Sequence, residues 1–68
     1  MFNVKRNQVF SSNFWSGNRI RVRSVKENID RPTHSLVEVV NIDDRNRAIK
    51  DTARTIFQDS IRRNYAYA

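Results

Sequence analysis

Arg19-Ile20-Arg21-Val22-Arg23-Ser24-Val25-Lys26 alternates, from Arg19 through Arg23, between a guanidinium and an aliphatic side chain. Successive side chains leave a pleated strand on opposite faces, so a period of two marks a half-buried strand. Ile20 and Val22 then point to a core. Arg19, Arg21 and Arg23 stand on the other face, about 6.8 Å from one to the next.

Working outward toward the N-terminus, Ser16-Gly17-Asn18 carries the only glycine of the chain. Gly and Asn tolerate positive φ, which predicts a hairpin turn here. The preceding stretch, Phe2 to Phe14, is rich in Asn, Ser, Val and Phe, and Val9-Phe10 and Phe14-Trp15 suggest the partner strand. Large apolar side chains are scarce in a chain of 68 residues. Phe14 is therefore expected in the core, and Trp15, on the opposite face, in solvent.

Toward the C-terminus, Asp30-Arg31-Pro32-Thr33 holds the only proline and predicts a second turn. A third strand follows over residues 34–42. Leu36, Val37, Val39, Val40 and Ile42 make it apolar on both faces, as in a central or doubly covered strand. Next, Asp43 or Asp44 can cap a helix and favour the positive end of its dipole, with Ile42 as a hydrophobic staple. Ile49, Ala53, Ile56, Phe57, Ser60 and Ile61 recur at helical spacing, and neither Gly nor Pro interrupts the run to Asn64. The expected fold is thus α+β. A three-stranded antiparallel β-meander over 1–42 is followed by one long C-terminal amphipathic α-helix over 43–64, packed on the sheet (β-β-β-α), and by a tail, 65–68. Residues 1–68 read as a single small basic domain.

A domain this short is marginal without a staple, a metal or a partner. There is no Cys and His34 is the sole histidine, so neither a disulfide nor a metal site is expected. Tight packing or a homodimer remains. If Val37 and Val39 face the helix, then Leu36, Val40 and Ile42 form an apolar strip on the far face around Glu38. A partner subunit would cover that strip and the arginines beside it.

The net charge of +6 is unevenly placed. Residues 1–26 hold Lys5, Arg6, Arg19, Arg21, Arg23 and Lys26 and no acid, whereas residues 27–68 hold seven bases against seven acids. Of the 13 bases ten are Arg, whose planar fork matches phosphate and stacks on bases. A one-signed field over half a small domain attracts an anionic partner. The Arg19/Arg21/Arg23 ladder is the centre of the expected nucleic-acid-binding set, with Lys5, Arg6 and Lys26 around it. Trp15 near the turn is placed to stack on an unpaired base. Arg47, Lys50 and Arg54, spaced by three and four, are expected along one edge of the helix, able to extend the same groove. The competing reading of the ladder is a solvated face partly neutralised by Glu38 or Glu27. For the helix set it is ordinary ion pairing, Arg47 with Asp51 and Asp59 with Arg63.

No nucleophile–base pairing, Gly-rich phosphate loop or metal-ligand cluster is legible, so a catalytic activity and a cofactor are not expected. Helix-turn-helix spacing and zinc-finger ligands are absent too, which favours RNA or single-stranded nucleic acid over duplex DNA. The alternative is an inhibitor or adaptor that docks its basic face on an acidic protein. A short, Cys-free, Asn-rich chain would suit a phage accessory protein. Met1-Phe2-Asn3-Val4-Lys5-Arg6 turns polar at once, unlike a signal peptide, and no apolar run approaches a membrane span. A cytoplasmic location is expected.

Overall fold

A computed structural model describes residues 3–15 and 17–68. Met1 and Phe2, at the start of the expected first strand, and Ser16, in the expected turn, lie outside the described residues. The architecture departs from the expected β-β-β-α order. Five strands, β1 (Val9–Ser12), β2 (Arg19–Lys26), β3 (Leu36–Ile42), β4 (Arg54–Phe57) and β5 (Tyr65–Tyr67), form one antiparallel sheet. The sole α-helix among the described residues, α1 (Gln58–Asn64), has seven residues. The sheet runs in the order β4-β3-β2-β1-β5.

The correction lies in residues 43–68, and it begins at the turn after β3. Asp43 does bind backbone N–H groups, as a helix cap would. Its Oδ1 accepts from Arg45 N at 2.9 Å and Arg47 N at 2.8 Å. The chain then closes on itself instead of propagating. Asn46 N donates to Asp43 O, Asp43 N to Arg47 O, and Asn46 takes φ 62°. Asn tolerates that left-handed conformation better than most residues, and it ends a right-handed turn. Ala48 then pairs back onto Ile42. A second turn is closed by Thr52, whose hydroxyl donates to Ile49 O and accepts from Asn41 N. Arg54-Thr55-Ile56-Phe57, half of it β-branched, leaves as an edge strand, as side chains of that type favour. Only the last third or so of the expected helix is helical, and the expected tail is β5, with Tyr67 opposite Phe10 and Tyr65 opposite Ser12.

α1 carries the chain from the β4 edge of the sheet to the β5 edge, and so crosses one face. Register places Phe10, Ile20, Val22, Val25, Val37, Val39 and Ile56 on that face. With Val4 and Ile61 they form the core cluster. Gln58, 4% exposed, locks its end of the helix. Its Oε1 accepts from Val4 N at 2.8 Å, its Nε2 donates to Pro32 O at 3.0 Å, and its own N–H donates to Ser35 O.

The opposite face is closed in part by the chain itself. Val40 and Ile42 are each 3% exposed, so the apolar strip expected to need a partner is not open along its length. Leu36 and Phe57, paired in register at the far end of that face, remain exposed. Among the described residues no helix is long and apolar enough to cross a membrane.

Candidate nucleic-acid interface

The face away from α1 is where the arginine ladder stands. Arg21 is directly opposite Val40 and Arg19 opposite Ile42. Arg19 Nη2 donates to Asp43 O at 2.6 Å and Arg21 Nη1 to Asn46 O at 2.8 Å. To reach those carbonyls, beyond the end of β3, both side chains run over the aliphatic residues opposite them. Long basic side chains commonly cover apolar surface in this way. The bonds use one donor of each guanidinium and leave its charge intact, because a carbonyl oxygen brings no formal charge.

Arg23 is set differently. The β2–β3 register slips between Val22 and Ser24, so Arg23 is the extra residue of a bulge. Bulges bend a strand and re-aim the side chain they carry. Arg23 Nε lies 3.9 Å from Glu38 Oε1, an ion pair too long for a hydrogen bond, with both side chains about half exposed.

The segment before β1 supplies a further cation. Residues 5–8 form a turn in which Gln8 N donates to Lys5 O, Lys5 N to Gln8 Oε1, and Asn7 takes φ 72°. Asn7 N donates to Val22 O and Val22 N to Gln8 O, which fixes this turn beside the bulge. Arg6 at the turn's tip, Asn7, Arg21, Arg23 and Glu38 line an open basin of about 240 Å³. A larger hollow of about 320 Å³ borders Val4, Pro32, Ser35 and Gln58, but their polar groups are engaged in holding the fold.

The other end of β2 meets the β1–β2 hairpin. Ser12 Oγ accepts from Phe14 N at 3.1 Å and Trp15 N at 3.0 Å. Ser12 N donates to Asn18 O, Asn18 N to Trp15 O, and Gly17 takes φ 82°. Asn13 N also donates to Asn64 O at the end of α1. The tip is therefore anchored on two sides, and it presents both rings to solvent. Trp15 is 69% exposed, and Phe14, expected in the core, is 70% exposed. Adjacent residues of a strand must face opposite ways, whereas a turn can expose both. The Ser12-Asn13 pair just ahead of the rings was the sequence signal for that turn.

The remaining expected cations do not join the ladder. The helix edge meant to align Arg47, Lys50 and Arg54 does not exist. Arg47 pairs with Asp43, Nε to Oδ2 at 3.2 Å, rather than with Asp51. Lys50 lies in the turn after Ala48. Arg54 stands opposite Val39 and so on the α1 side of the sheet, bonded to Asn41 Oδ1 and Thr52 O. Asp59 and Arg63 pair at 3.0 Å. Lys26 ends β2 opposite Leu36, at the far end of the ladder. Lys5, Arg6 and Lys26 make no ion pair among the described residues.

The one clear electrostatic perturbation is at Asp43. The hydrogen bond from Arg47 N does most to hold its carboxyl below the ordinary range; desolvation opposes it less strongly, and the hydrogen bond from Arg45 N and the Arg47 guanidinium add smaller lowering effects. No group of three or more His, Cys, Asp or Glu able to hold a metal occurs among the described residues. No protein-family model, curated protein or solved structure matches the chain.

Proposed function

We propose that this chain is a small binding module for nucleic acid, with RNA or single-stranded nucleic acid preferred over duplex DNA. The observation that carries the reading is the pairing of two features on one hairpin. Phe14 and Trp15 are both held out in solvent at its tip, and its second strand carries Arg19 and Arg21, half-buried on the face away from α1, and the exposed Arg23 at the bulge. Exposed rings stack on unpaired bases of any sequence, while guanidiniums track the phosphates. The preference for single strands rests on those two exposed rings, which need bases that are already unpaired.

The test is a gel-shift panel of single-stranded RNA, double-stranded RNA, single-stranded DNA and duplex DNA across a salt series. Binding to the single strands should weaken with salt. Three phosphates neutralised at about −0.7 each give a log–log slope near −2. Absence of binding to all four at low salt would overturn the reading and leave the basic face to an acidic protein partner.

A further inference from the structure

We infer that the basin formed by Arg6, Arg21 and Arg23 is a subsite for one terminal phosphate of a nucleic-acid strand, with Glu38 as its built-in competitor. The identity of the ligand rests on the proposed function. The basin itself does not.

Three elements far apart in sequence meet here. Arg6 comes from the turn ahead of β1, Arg21 and the bulged Arg23 come from β2, and Glu38 comes from β3. Each position is fixed by the backbone. Asn7 N and Val22 N join the turn ahead of β1 to β2, and the bulge turns Arg23 out of the simple alternation. Arg6, Arg21 and Arg23 line about 240 Å³ of open, mostly polar space with a single carboxylate, Glu38, among them, and the Arg21 guanidinium itself is held toward the turn after β3 by Asn46 O. The basin keeps two net positive charges.

That charge distinguishes between phosphates. A diester linkage inside a strand carries one negative charge, whereas a phosphate monoester carries about −1.5 to −2 near neutral pH. The monoester matches the formal charge of the lining residues and also offers three acceptor oxygens to the forks of Arg6 and Arg23. Arg23 is free to turn to it, because its contact with Glu38 is a loose 3.9 Å ion pair rather than a hydrogen bond. Arg21 engages Asn46 O through Nη1 and retains its other donors. A bound phosphate would displace the Glu38 carboxylate from Arg23, so Glu38 opposes binding by like-charge repulsion.

The experiment compares one short single-stranded oligonucleotide in three forms, with a 5′-phosphate, with a 3′-phosphate and with hydroxyls at both ends. Inorganic phosphate is titrated separately while the arginine Nε–Hε signals are followed by NMR. At least one phosphorylated end should bind about tenfold more tightly than the hydroxyl form, the worth of one or two charge-assisted hydrogen bonds. Arg6→Gln should bring the ratio of the two forms close to one. Glu38→Gln, close in shape, should tighten the phosphorylated form. Equal affinity of all three forms would overturn the subsite while leaving nucleic-acid binding standing. Inorganic phosphate that shifts Arg6 and Arg23, with no oligonucleotide bound, would support the basin and overturn the nucleic-acid reading. Phosphate that shifts neither arginine, with no end preference, would overturn the subsite.

Discussion

Arg21 spans the outer face of the sheet, from its place opposite Val40 on β2 to the main-chain carbonyl of Asn46, 2.8 Å from its Nη1. One side chain thus roofs the apolar residue opposite it, pins the turn after β3 and still displays a full positive charge. Arg19 repeats the arrangement over Ile42 with the carbonyl of Asp43. Arg23 does not. The ladder divides into two arginines that serve fold and charge together and one that serves charge alone.

That division is measurable by urea denaturation. Arg21→Ala removes a stem from over Val40 and a charge-assisted hydrogen bond, and should cost about 1–2 kcal/mol. Arg23→Ala breaks only a loose, exposed ion pair and should fall within about 0.5 kcal/mol of the parent. Equal losses at the two positions would contradict the division. Arg23→Ala is accordingly the cleaner probe of binding.

Gln58 is expected to be the most sensitive polar position. Gln58→Leu keeps roughly the bulk, but leaves Val4 N and Pro32 O without partners in a buried place. Stranded groups of this kind cost about 1–3 kcal/mol each. A small domain has only about 5 kcal/mol or less in reserve. The variant should therefore lose much of its cooperative unfolding transition.

Trp15 is the only tryptophan, so its fluorescence reports on the hairpin tip alone. With the ring 69% exposed, its emission should be that of a solvated indole and should be quenched when a single strand binds. Phe14→Ala and Trp15→Ala should each leave stability within about 0.5 kcal/mol, as for surface positions. Each should weaken single-strand binding by about 1–3 kcal/mol per base that is no longer stacked. Loss of stability without loss of binding would place the rings in the fold instead.

Acid should loosen the turn after β3. The Asp43 carboxyl titrates below its ordinary value, so its stabilising effect is complete above the unfolded value, near 3.8, and is lost as pH falls through the lower folded value. Asp43→Asn should remove that acid dependence. Amide exchange at Arg45 and Arg47, whose N–H groups the carboxylate holds, should report the loosening first.

Some of this molecule is legible in short-range pattern. The period of two from Arg19 to Val22 reports its two faces directly, because a strand sends neighbours to opposite sides whatever it packs against, and it fails only at Arg23, where the bulge interrupts the pairing. The glycine turn and the doubly apolar third strand are readable for similar reasons. The C-terminal part is not. Asp43 binds backbone N–H groups in a helix cap and in the turn seen here by the same chemistry, and the apolar spacing from Ile49 to Ile61 suits a helix. What decides between them is whether residues 54–57 find a free strand edge. The unpaired edge of β3 provides one, a non-local partner that periodicity cannot register.

The candidate site divides along the same line. Its charge was determined by the sequence alone, since an acid-free run of 26 residues is basic in any fold. Its shape was decided by the tertiary structure. Hydrogen bonds from the turn ahead of β1 to β2, and a one-residue slip between β2 and β3, bring Arg6, Arg23 and Glu38 to one basin. A turn held by Ser12 Oγ keeps Phe14 out of the core beside Trp15. Charge is additive along a chain, and so it can be read from composition. Convergence depends on register, which exists only once the strands are paired.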